Sequence, residues 1–183
     1  AEGQRDFGEN KAQDLEAKKD ALPNDIRWHF IGHLQRNKAK YICDFIHLIH
    51  AVDSFKLLRE INKQAVKANR VVPCLIQMHI ASEDTKFGMD ESEIEELIKD
   101  ERLGNLSNIK VVGLMGMATN TSDSTKVSKE FQTLKTLFDK FKTAALPANV
   151  VMETLSMGMS QDFEIALANG STMVRIGSAV FKS

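Results

Sequence analysis

The residues best suited to chemistry gather near the end of the chain. Ser156-Met-Gly-Met-Ser160 closes an apolar stretch and leads into a helical one, and Arg175-Ile-Gly-Ser178 lies on the last segment of strand character. Gly158 and Gly177 let a backbone come close to a ligand. Ser156 and Ser178 offer hydroxyls, and main-chain N–H groups at a helix start favour an anion. Phosphate binding fits this combination; turn glycines and helix caps are the alternative. Arg175 is the odd residue in a segment that otherwise reads Met-Val-x-Ile-Gly. Strict alternation puts Met173, Arg175 and Gly177 on one face, with Val174 and Ile176 on the other. An inward arginine needs a partner, because an unpaired buried charge is very costly. A ligand and a strand carboxylate are the two candidates.

The chain has five histidines, His29, His33, His47, His50 and His79. His29 and His33 are four apart on a strand-to-loop stretch, and no glutamate follows His29, so the metalloprotease pattern is absent. His47 and His50 fall on opposite faces of a strand. Core or rim histidines are the expectation, and no metal site. Cys43 and Cys74 sit among apolar residues, fit no zinc spacing and read as buried thiols of a reducing compartment. The acidic clusters Glu91–Glu96 and Asp100-Glu101 read as solvated helix faces. No nucleophile elbow, Walker loop or early G-x-G-x-x-G is present.

The elements that position these groups alternate. Strand-like segments are Gln4–Gly8, Arg27–Gly32, Phe45–Val52, Val71–Ala81, Lys110–Met117, Val150–Ser156 and Met173–Phe181. Helical patterns lie at Asn10–Asp20, Ser54–Ala68, Asp90–Lys99, Ser124–Ala145 and Ser160–Asn169. Asp90 and Glu93 have capping-box spacing, and Gly170 suits the position after a helix. Strict β–α alternation argues for a parallel sheet covered by helices. Polar and glycine residues collect at the C-terminal ends of the strands, where (β/α)8 barrels build their sites.

The composition is that of one soluble domain: 183 residues, 43% hydrophobic, 27% charged, with a net charge of −1. That charge does not suit a nucleic-acid surface, and no apolar run is long enough to span a membrane. The start AEGQRDFGEN is polar and has no signal-peptide character.

Several segments together resemble the pyridoxal phosphate homeostasis proteins, the YggS/PROSC family. They are Gly3-Gln-Arg-Asp-Phe-Gly-Glu-Asn10, Trp28-His-Phe-Ile-Gly-His-Leu-Gln-Arg-Asn-Lys38, His50-Ala-Val-Asp-Ser54, Ala81-Ser-Glu-Asp-Thr-Lys-Phe-Gly88, Gly113-Leu-Met-Gly-Met117, Leu155-Ser-Met-Gly-Met-Ser160 and Gly170-Ser-Thr-Met-Val-Arg-Ile-Gly-Ser178. They cover almost the whole chain in family order. The resemblance implies a single α/β domain over residues 1–183, a (β/α)8 TIM-type barrel like the N-terminal domain of alanine racemase. It implies binding of pyridoxal 5′-phosphate (PLP) as a Schiff base, in cytoplasmic vitamin B6 homeostasis, by a monomeric carrier without catalytic turnover. PLP-dependent apo-enzymes are the implied recipients, with no nucleic-acid or membrane partner. The alternative is a PLP-dependent amino-acid racemase-like enzyme. Racemases of this fold use a tyrosine base from a second domain of a partner chain, whereas Tyr41 is the one tyrosine here.

By position, the resemblance makes Ser156, Gly177 and Ser178 phosphate contacts, helped by the backbone near Met157 and Gly158. Arg175 faces the pyridine nitrogen, Asn10 lies at the rim near the ring, and His29 and Met115 are wall residues. The family's Schiff-base lysine lies on the first barrel strand, in a Val-Ser-Lys-like stretch with no counterpart here. Lys11, Lys38 and Lys86 belong to rim or helix-start motifs, and His79 stands where an asparagine is expected. Barrels of this type need about 250 residues and rarely fall below roughly 200. The expectation is a barrel without its first strand and most of its first helix. One missing strand would leave a gap of roughly 9–10 Å between the Gln4–Gly8 and Met173–Phe181 strands, since neighbours lie about 4.8 Å apart.

Overall fold

The computed structural model describes residues 3–83 and 87–181. Within them lie seven strands: β1 (Asp6–Glu9), β2 (Arg27–Phe30), β3 (Leu48–Val52), β4 (Val72–Met78), β5 (Ile109–Gly116), β6 (Val150–Met159) and β7 (Met173–Arg175). Each pairs in parallel with the next, in sequence order. The helices between them are α1 (Ala12–Ala21), α2 (Phe55–Lys67), α3 (Glu91–Lys99), α4 (Glu101–Gly104), α5 (Ser124–Lys142) and α6 (Phe163–Ala168), followed by a last turn, α7 (Ser178–Phe181).

The sheet is curled into a barrel, and one hydrogen bond proves it. His50 on β3 and Ser156 on β6 are three strands apart, about 14 Å in a flat sheet. Their side chains nevertheless meet at 3.0 Å. The barrel is not closed by pairing: β1 and β7 are the two edges and are not hydrogen-bonded to each other. That is the arrangement expected of a barrel lacking one strand between them.

The side-chain period of two separates two apolar layers. Cys74, Ile76 and Met78 of β4 and Leu114 of β5 face the helices and pack with Leu58, Ile61, Phe131, Leu134 and Phe138. Leu48, Ala51, Leu75 and Met115 form a smaller interior cluster, with Met117 and Met173 against it. The helices are fixed by caps that the sequence announces. Ser54 accepts from the Leu57 N–H, and Asp90 with Glu93 makes both bonds of a capping box. Both cysteines are buried thiols, and burial raises the pKa of Cys43 to about 12.

Several boundaries differ from expectation. The last strand does not run to Phe181: it ends at Arg175, and the chain turns into α7. Gly177 N–H and Ala179 N–H then bond to the Ser160 hydroxyl instead of to a neighbouring strand. β6 runs on to Met159, so its helix begins at Phe163 rather than Ser160. β4 stops at Met78, because Met89 folds back beside it and bonds to Gln77 and His79. The 3₁₀ turn Arg36–Tyr41 has no apolar period and could not be read from the sequence.

Candidate functional site

Two layers of polar groups occupy the inner side of the barrel. The upper one is built on Arg175. Its strand alternates as expected, with Met173 joining the interior cluster and Arg175 beside it. The guanidinium Nη1 donates to the Ser156 hydroxyl at 2.7 Å and to the Ser156 carbonyl at 3.1 Å, and Nη2 donates to the Gly116 carbonyl at 3.2 Å. Among the described residues no carboxylate hydrogen-bonds to it, so the structural ion pair is not what holds it. Burial lowers its pKa to about 10, with a weak opposing pull from Asp162, and it stays cationic at neutral pH. A guanidinium carries more donors than these three bonds use. Among the described residues Nε–H and one Nη2–H have no acceptor, which leaves them for a ligand.

The second layer continues from Ser156, whose side chain is fully buried. Its hydroxyl lies 3.0 Å from His50 Nδ1, and His50 Nε2 lies 2.9 Å from His29 Nδ1. His29 Nε2 lies 3.1 Å from Asp6 Oδ1, and Arg27 grips the same carboxylate through Nε at 2.8 Å. Burial holds His29 and His50 below the ordinary histidine range, and for His50 the Arg175 charge acts the same way. Arg27 holds Asp6 below the usual carboxylate range against the opposing effect of burial.

His47 adds to this lower end. One atom each from Asp6, His29 and His47 lies within 4.8 Å of the others, a spacing that would admit a metal ion. His29 and His50 are core histidines, as expected, and neighbouring strands bring them together with Asp6 and His47 although they are distant in sequence. The Arg27 guanidinium bonded to Asp6 opposes a second cation at that point.

The other expected residues are distributed as follows. Met115 is fully buried in the interior cluster. Asn10 is exposed just beyond β1, where its main chain touches Gly32 so closely that a Cβ there would meet the Asn10 carbonyl at 2.3 Å. The Met157 side chain packs on the helix side, so only its backbone could serve a site. Gly158 has φ +95°, and a Cβ on it would meet the Ala166 Cβ at 2.5 Å, so this glycine is needed where β6 meets α6. Gly177 and Ser178 are exposed at the start of α7, with open space around Gly177. Ser160 belongs with them rather than starting a helix: its hydroxyl accepts from Gly177 N–H at 3.1 Å and Ala179 N–H at 3.3 Å.

Further round the rim, His33 pairs with Asp53 at 3.2 Å and stacks on Phe87, with centroids 3.8 Å apart. His79 turns to the Glu83 carbonyl at 2.9 Å. Lys38 lies over the Tyr41 ring, Lys11 is exposed at the start of α1, and Lys86 is outside the described residues. Among the described strands the one lysine is Lys110, near the N-terminal end of β5 and remote from Arg175.

The residues fit a phosphorylated, acceptor-bearing ring. They offer a half-buried cation with unspent donors, an apolar methionine wall, and hydroxyls with main-chain N–H groups at the last turn. Comparisons with known proteins agree. The family model described as alanine racemase, N-terminal domain, matches residues 1–183. The pyridoxal phosphate homeostasis protein of Aquifex aeolicus is 40% identical over 180 residues, covering 98% of this chain and 77% of that protein. The structure of PipY from Synechococcus elongatus without PLP superposes with a TM-score of 0.89 at 30% identity, covering 98% of this chain and 82% of that one. PipY with PLP bound gives a TM-score of 0.83 at the same identity and coverage. The chain therefore belongs to the pyridoxal phosphate homeostasis protein family, whose fold is that of the alanine racemase N-terminal domain.

Proposed function

We propose that this chain binds pyridoxal 5′-phosphate at the C-terminal mouth of its barrel and serves vitamin B6 homeostasis as a carrier without catalytic turnover. The observation that carries the reading is Arg175: a half-buried guanidinium that, among the described residues, has no carboxylate hydrogen-bonded to it and two N–H groups unspent. Such a group is stabilised by a ligand that accepts hydrogen bonds.

When bound, PLP supplies an electrophilic aldehyde and an electron-withdrawing pyridine ring. Arg175 donates toward the ring nitrogen, and as a donor-only cation it disfavours protonation there. A ring kept unprotonated is a weak electron sink, which suits a carrier. Gly177 and Ser178 receive the phosphate together with Ser160, while Ser156 serves Arg175 rather than the phosphate. Met115 walls the ring, Asn10 stands at the rim, and the Gly158 turn sets β6 against α6. Tyr41 packs against the helix-side core and does not stand in for the tyrosine base that a racemase of this fold takes from a partner chain. The chain acts as a monomer in the cytoplasm and delivers to PLP-dependent apo-enzymes. Its two buried thiols suit that compartment. No helix among the described residues is long and apolar enough to cross a membrane.

Calorimetric titration with PLP tests the reading. Saturable binding is expected, weakened at least about tenfold by R175A, which is about 1.4 kcal/mol. Absence of binding, or an unchanged affinity in R175A, overturns it. An assay of alanine racemisation with added PLP is expected to give no turnover.

A further inference from the structure

We propose that Ser156, His50 and His29 are positioning residues for Arg175, joined in a one-way chain of hydrogen bonds that crosses the barrel interior to the Asp6 carboxylate. The inference rests on the reading that Arg175 meets the cofactor.

The two ends fix the direction. Asp6 is a carboxylate and can only accept, so His29 must carry its proton on Nε2, the atom 3.1 Å away. A neutral imidazole with Nε2–H has an accepting Nδ1. His50 Nε2, 2.9 Å from it, must therefore be the donor. That leaves His50 Nδ1 as an acceptor, and the Ser156 O–H, 3.0 Å away, fills it. With its proton spent, the Ser156 oxygen accepts, and the Arg175 Nη1–H meets it at 2.7 Å. Each of these donors finds an acceptor, and Arg27 closes the far end on Asp6.

Reversing any link breaks this consistency. A His50 with Nδ1–H would force the Ser156 oxygen to accept from two donors while its own proton sought another partner. The Arg175 contact would then weaken, and the guanidinium would lose the bond that fixes which of its N–H groups point away from Ser156. His50 therefore acts on Arg175 without touching it. The charged groups facing the relay are Asp6, Arg27 and Arg175, with His47 beside His29. All of them favour neutral histidines except Asp6, whose attraction for a charged His29 is opposed by burial.

The relay is tested on the protein without cofactor by long-range proton–nitrogen NMR of ¹⁵N-histidine-labelled chain at neutral pH. His29 and His50 are both expected as neutral Nε2–H tautomers. An Nδ1–H tautomer at either overturns the proposal. Arg175→Met, at the far end of the chain, should leave both as Nε2–H tautomers, because the Asp6 carboxylate sets the direction. Asp6→Asn, whose amide can also donate, should give His29 and His50 a measurable Nδ1–H fraction, and unchanged tautomers in that variant also overturn the proposal.

PLP titration provides the second readout, on variants whose circular dichroism matches the parent. His50→Leu and Ser156→Ala should each weaken binding about tenfold, or about 1.4 kcal/mol, and Ser156→Thr, which keeps the hydroxyl, should restore it. Parent-like affinity in H50L and S156A alongside weak R175A binding rejects the relay and leaves the PLP reading standing. Parent-like affinity in R175A rejects the PLP reading itself, whatever the NMR gives.

Discussion

His29 and His50, on adjacent strands, meet ring nitrogen to ring nitrogen at 2.9 Å inside the barrel. Two imidazolium rings cannot hold this contact, because both nitrogens would carry protons. Burial lowers both pKa values below the ordinary 6.5. As pH falls through 6.5, the unfolded chain therefore takes up protons that the folded chain refuses. Stability is full above that pH and declines below it, with His47, also lowered, adding to the slope. The Asp6 effect is separate: its contribution is lost only as pH falls below the ordinary carboxylate value of 3.8. Urea midpoints should be flat from about pH 8 to 7 and fall below about 6.5. His50→Leu removes one of these proton linkages, so its slope should be shallower. A parallel slope would show that His50 is not a source of the acid sensitivity.

Arg175 separates function from stability. Its guanidinium is partly desolvated and answered by carbonyls and one hydroxyl, and among the described residues no carboxylate hydrogen-bonds to it. Replacing buried charge by an apolar side chain of similar length is often neutral or stabilising. Arg175→Met should be no less stable in urea than the parent while losing PLP affinity. A variant destabilised by more than about 2 kcal/mol would mean that its three bonds outweigh the desolvation cost.

The β5–β6 pairing depends on Gly113. It has φ +152°, and a Cβ would stand 1.8 Å from the Thr154 carbonyl oxygen, inside any possible contact. The register shifts at this point, and the shift carries Met115 into the interior cluster. Gly113→Ala should cost more than about 3 kcal/mol or prevent folding, beyond the usual range for point mutants. A melting temperature within a few degrees of the parent's would show that the strands can part there cheaply.

What could be read from sequence follows the physics of each element. α5 was legible because Val127, Phe131, Leu134, Phe138 and Phe141 repeat on one face, and all are buried. The seven strands were legible as apolar segments between helices. Their ends were not, because strand ends are set by neighbours: Met89 beside Met78, and Ser160 under Gly177 and Ala179. Arg175 stood out as a charge on an apolar strand. The chain Ser156–His50–His29–Asp6 gave no sequence signal, because its members lie on four strands and up to 150 positions apart. Curling the sheet brings them together, and no local pattern encodes that. His29 was found through the family resemblance and Ser156 through its glycine-rich motif, whereas Asp6 and His50 were missed.

The last turn tests whether phosphate is the part of the ligand recognised there. Gly177 N–H and Ala179 N–H converge on the Ser160 hydroxyl, and Ser178 is exposed beside them. Two main-chain donors aimed at one oxygen make a place an anion can share, while a neutral hydroxymethyl group gains little from it. The comparison to make is therefore between PLP and pyridoxal, which differ only in the phosphate. Ser160→Ala and Ser178→Ala should each reduce PLP affinity at least about tenfold, in line with roughly 1.5–3 kcal/mol for hydrogen bonds to charged groups. Both should leave pyridoxal affinity unchanged, so the preference for PLP narrows. Arg175→Met should instead weaken both ligands by a similar factor, because ring and phosphate are held by different residues. A uniform loss for both ligands in S160A and S178A would place the phosphate elsewhere and reduce Ser160 to the cap of α7.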